Sequence, residues 1–95
     1  MKLSDQAIII ASLSMDLKRV SLGLYRKSFS LSDRFRIEAL ARIDELEIDT
    51  LPTYIQSVVR KTEKILKVDE VNTADDILMY SILLQNYTVK HLLRN

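Results

Sequence analysis

One glycine and one proline in 95 residues set the tightest limit on how this chain folds. Tight hairpins need glycine, Asn-Gly or proline to reverse the chain, so a sequence this poor in them has little from which to build a sheet. Helices need neither residue in their interiors and are broken by both. The expected class is all-α. The length suits a single domain, residues 1–95. With 47% apolar and 28% charged residues the chain carries enough apolar surface for a packed core.

Successive residues placed 100° apart divide the chain into four amphipathic segments, at about 5–28, 31–47, 52–68 and 74–93. The first opens on Ser4 as N-cap, with Asp5 in the turn where the helix dipole favours an anion. Its seam is Ile10, Leu13, Leu17, Val20 and Leu24, spaced 3-4-3-4 as in bundle packing. The second begins at Ser30 or Ser32 and carries Phe35, Ala39, Ile43 and Leu46. Pro52, tolerated only in a first turn, restarts the chain as a third helix with one stripe from Leu51 through Ile55, Val58, Val59, Thr62 and Ile65 to Leu66. Thr73 caps the fourth, whose main face is Ile77, Tyr80, Leu84 and Tyr87, edged by Leu83 and His91. Short connections between such helices give a compact antiparallel four-helix bundle.

The outer helices carry more apolar surface than a bundle needs. In the first, Ile8, Met15, Leu22 and Phe29 recur every seven residues on the side away from the main seam. In the fourth, Leu78, Ile82, Val89 and Leu93 form a second stripe spaced 4-7-4. Left in water, each large side chain forgoes about 1.5–3 kcal/mol of burial, and contiguous apolar patches of that kind mark association surfaces. These eight residues are therefore the expected partner-binding set. The partner is a second copy or another helical protein, with a homodimer as the first expectation; the competing account is that loops or a central position in the bundle cover both stripes.

Charge is balanced in sum and uneven along the chain. Fourteen Lys and Arg face thirteen Asp and Glu. Lys18 to Arg36 holds six basic residues and one acid, whereas Glu38 to Asp49 holds five acids and one Arg. In the second helix Arg34 and Arg36 fall in the first turn and Asp44, Glu45 and Glu47 in the last, against the macrodipole. Arg34, Glu38, Arg42 and Glu45 share one stripe at spacings 4-4-3, which offsets part of that cost. Arg26, Lys27, Arg34 and Arg36 are the candidate charged contacts for an acidic partner; the competing account of the helix 2 charges is a solvated, salt-laced outer face.

The residues that chemistry requires are missing. There is no cysteine, hence no disulfide, thiolate-metal site or thiol nucleophile. The one histidine, His91, stands four residues from the last position, where a helix C-terminus favours its cation, and no Glu-x-x-His pair or Gly-rich phosphate loop occurs. Asp44, Glu45, Glu47 and Asp49 lack the alternation and central glycine of a calcium loop. No enzymatic activity, cofactor or metal is expected. The longest apolar run, Ala7 to Ala11, is far short of a membrane span, and no signal peptide is expected, which makes the cytoplasm the default compartment. The leading expectation is a regulatory or adaptor-like interaction module. Its rival is a small nucleic-acid-binding regulator using the basic residues of helices 1 and 2, or Arg60, Lys61, Lys64 and Lys67 of helix 3.

Overall fold

A computed structural model describes residues 3–68 and 73–92 of the chain. Four helices account for nearly all of them: α1 Leu3–Tyr25, α2 Phe29–Glu45, α3 Thr53–Leu66 and α4 Ala74–Leu92, with a 3-10 turn at Ile48–Thr50 before α3. No strand occurs among the described residues. α1 packs extensively against both α4 and α2, and α3 closes the bundle against α4 and α2. The all-α four-helix bundle predicted by periodicity is the fold of this chain.

The core is the set of seams. Ile10, Leu13, Leu17, Val20 and Leu24 of α1 are buried, as are Ala39, Ile43 and Leu46 after Phe35, which is half-buried. Leu51, Ile55, Val59, Thr62 and Leu66 line the third side; Ile77, Leu84 and Tyr87 line the fourth. Leu83 stays exposed. The Tyr87 ring meets Tyr54 edge to face, with centroids 6.3 Å apart.

Small residues let the helices approach closely around α1. Ser81 Oγ donates to the Ser14 carbonyl at 2.8 Å, and Ser21 Oγ donates to the Ala74 carbonyl at 2.9 Å. Both bonds cross from one helix to the other, so these hydroxyls are satisfied without water. On the opposite flank Gly23 lies against Ser32: a Cβ added at Gly23 would stand 2.9 Å from Ser32 Cβ and 3.0 Å from its backbone nitrogen. Ser32 Oγ is itself buried with no hydrogen-bond partner, so Ser32 serves here through its size. At the far end Gln6 Oε1 accepts from the Glu47 N–H at 3.1 Å and ties α1 to the end of α2.

The helix ends depart from the sequence reading in instructive ways. α1 stops at Tyr25 rather than near Ser28, and Ser4 falls inside it rather than at its cap. Ser28 N–H bonds to the Gly23 carbonyl at 2.8 Å and Lys27 N–H to the Leu24 carbonyl at 3.2 Å. These are the 6→1 and 5→2 bonds of a Schellman ending. The left-handed position it requires is Lys27, at φ 58°. Glycine usually stands there, and its absence is why periodicity alone runs α1 too far. α2 in consequence starts at Phe29, so Ser32 is a buried helical residue and Arg34 and Arg36 belong to the second turn. Pro52 immediately precedes α3, and its carbonyl accepts from the N–H groups of Ile55 and Gln56.

Lys27→Gly removes the strain of a side chain at positive φ and is expected to raise stability by about 1 kcal/mol. For a domain of this size that is roughly 4–8 °C in Tm, measurable by thermal unfolding under circular dichroism. An unchanged or lowered Tm would show that the reversal at Lys27 is not strained.

Candidate interaction surface

α1 is the most enclosed helix, buried over well more than half its circumference. Gln6, Ala7, Ser14, Asp16, Ser21 and Gly23 join its seam residues below the surface. The arc that remains open carries Ile8, Met15 and Leu22, each a two-turn step from the next. On α4 Ile82 and Val89 are open in the same way. These five side chains are 44–55% exposed. Leu78 is half-buried, and Leu93 lies outside the described residues. Phe29 is 47% exposed but stands on α2, beyond the reversal at Lys27, so it does not continue the α1 stripe. Neither loops nor neighbouring helices cover the open stripes within the described chain.

Met15 and Leu22 of the α1 stripe border a shallow hollow on the side of α4. Lys18, Arg19 and Gln85 complete its lining, and its volume is about 420 Å³. Lys18 Nζ donates to Gln85 Oε1 at 3.2 Å across it. Ile82 and Val89 flank Gln85 three residues before and four after, hence on the same side of α4. At one end of the seam the Tyr25 hydroxyl bonds to the Asp75 carboxylate. The sequence reading did not single out Lys18 and Gln85 as lining this hollow. It also passed over Met79, which adds exposed apolar surface to α4 as Leu83 does.

The basic residues are divided among several surroundings. Lys18 turns toward α4, whereas Arg19 turns toward α2 and lies over the Phe35 ring at 5.1 Å. Arg34 covers Phe35 as well, at 5.6 Å, so the ring draws two guanidinium groups together. Arg36 pairs with Asp33 at 2.6 Å. Arg26 and Lys27 are exposed at the reversal. On α3, Arg60 pairs with Asp49 at 3.8 Å and Lys67 with Glu63 at 3.9 Å, while Lys61 and Lys64 border a separate hollow beside Tyr80.

Where α1 meets α2, an acid is buried. Asp16 is 3% exposed and faces Arg42 Nε at 3.5 Å and Arg19 Nη1 at 3.4 Å. Burial pushes its carboxyl above the usual range; Arg42 pulls it back, Glu38 pushes it up again and Arg19 pulls it down. The balance is upward, because desolvation outweighs the attraction of two half-exposed arginines. A carboxyl with a raised folded-state pKa favours the fold while protonated, and that contribution is lost as pH rises through the raised value. Asp16→Asn is therefore expected to leave the fold as stable as the parent or more stable at neutral pH, with the difference shrinking in acid. Urea titrations at neutral and acid pH check this. A large neutral-pH loss would make the ion pair with Arg42 the dominant effect.

Among the described residues no group of three or more His, Cys, Asp or Glu is placed to hold a metal ion, and no helix is long and apolar enough to cross a membrane. The His91 side chain lies outside the described residues. The chain matches no protein-family model, no curated protein and no solved structure, so its surface carries the functional argument alone.

Proposed function

We propose that this chain is a non-enzymatic helical interaction module, regulatory or adaptor-like and cytoplasmic, that pairs with a second copy of itself through the outer faces of α1 and α4. What supports this reading is the exposure of Ile8, Met15 and Leu22 on α1 and of Ile82 and Val89 on α4, with Met15 and Leu22 lining a hollow that Gln85 of α4 also lines. Five large apolar side chains in that arrangement make a patch of the kind that marks association surfaces in soluble proteins.

Light scattering on size-exclusion fractions over a dilution series tests it. The expected mass is about twice 11.0 kDa. Leu22→Asp and Ile82→Asp place a charge where the partner would sit, and each is expected to give a folded monomer, since both sites are open to water in the single chain. A wild type that is monomeric at every concentration overturns the reading. So does a variant that unfolds, because these positions would then belong to the core.

A further inference from the structure

Resting on the reading of this face as a self-association surface, we infer that the second copy lies antiparallel, its two-fold axis passing the level of Met15 and the middle of α2. Two independent patterns share that level.

The first is apolar. Ile8, Met15 and Leu22 are evenly spaced, so a reversed copy centred on Met15 sets Ile8 against the partner's Leu22 and Met15 against the partner's Met15. The second is electrostatic. Arg34, Glu38, Arg42 and Glu45 form one stripe of α2 whose signs run plus, minus, plus, minus. Read backwards, the signs are opposite at every position. A reversed copy therefore sets Arg34 against the partner's Glu45 and Glu38 against the partner's Arg42.

The two centres coincide because of how α1 and α2 pack. Asp16 reaches Arg42, Arg19 lies over Phe35, and Gly23 touches Ser32. These contacts put Met15 level with the stretch between Glu38 and Arg42, the midpoint of the charged stripe. Arg34 and Arg19, gathered on the Phe35 ring, also place the stripe's basic end along the border of the α1 strip. Face to face, a reversed copy lays α2 over the partner's α2, whereas a copy running the same way lays α2 over the partner's α4 and loses the matched signs. Stable interfaces bury about 800 Å² on each partner; the long face of this bundle, 39 by 22 Å, is of that size. Charge matching of this kind selects orientation more than it adds affinity.

The chain has no cysteine, so single substitutions at exposed positions report the geometry directly. Under mild oxidation Met15→Cys is expected to cross-link to itself. Ile8→Cys and Leu22→Cys are each expected to stay uncross-linked alone and to cross-link when mixed, since a disulfide needs Cα atoms within about 7 Å. Arg34→Glu is expected to weaken self-association severalfold, with recovery on adding Glu45→Arg in the same chain. Self-cross-linking of Ile8→Cys overturns the antiparallel arrangement while leaving self-association intact. Failure of every cysteine variant to cross-link in a chain of dimer mass moves the interface off α1. A monomeric wild type removes the reading beneath the inference as well.

Discussion

Gly23→Val is expected to destabilise the bundle by about 3 kcal/mol, a large part of the stability of a domain this size. The backbone at Gly23 is ordinary helix, so conformational freedom is not the reason for the glycine. Space is the reason. Even the single carbon of Gly23→Ala would come within 2.9 Å of Ser32 Cβ, 3.0 Å of Ser32 N and 3.1 Å of Ser32 Cα. Two of those atoms are backbone and cannot rotate away, so α1 and α2 must separate and loosen the packing on either side. Helix propensity pulls the other way, favouring alanine over glycine by about 1 kcal/mol. Gly23→Ala is thus a test of sign: a net loss in urea unfolding follows from the close approach, whereas a net gain would mean that propensity governs and the helices have room.

Leu17→Ala is expected to cost about 2–5 kcal/mol, while Met15→Ala, two residues away on the same helix, should stay within about 0.5 kcal/mol in the isolated chain. Leu17 is fully buried between the packed helices and leaves a cavity when truncated; Met15 is 54% exposed and leaves none. The contrast is read by denaturant unfolding at protein concentrations low enough to keep the chain monomeric. At higher concentration Met15→Ala should unfold earlier than the parent, because a parent that pairs gains stability by mass action and a variant that pairs poorly does not. Equal costs at both positions in dilute solution would show that α1 is buried all round, and the surface proposed for self-association would not exist.

The helix count and the core seams were legible from spacing alone. A 3-4 repeat of apolar residues has one arrangement that buries it, and the seam of α1 from Ile10 to Leu24 is buried in full. The end of α1 was not legible. A Schellman reversal is normally announced by glycine, and here the left-handed position is taken by Lys27, so the apolar period ran on to Phe29 and joined a residue of α2 to the stripe of α1. The polar members of the α1 interfaces were hidden for a related reason. Ser14, Asp16, Ser21 and Ser81 read as solvent-facing in a hydropathy pattern, because hydropathy records the cost of burying a group and not the partner that offsets it.

What the sequence determined by itself is the set of local choices. Apolar spacing, the near absence of glycine and proline and the break at Pro52 specify four amphipathic helices in order, each with its buried side. Which of the remaining apolar residues stay open was decided by tertiary structure. Ala7 and Ile8 are neighbours in the chain, yet one is covered and the other faces water, because α4 and α2 enclose α1 from two sides and leave a third open. The meeting of Lys18 with Gln85, of Arg19 with Phe35 and of Asp16 with Arg42 likewise depends on which helices lie side by side and at what height. Spacing along a chain sets the angle of a side chain about its own helix axis; only packing sets what stands opposite that angle.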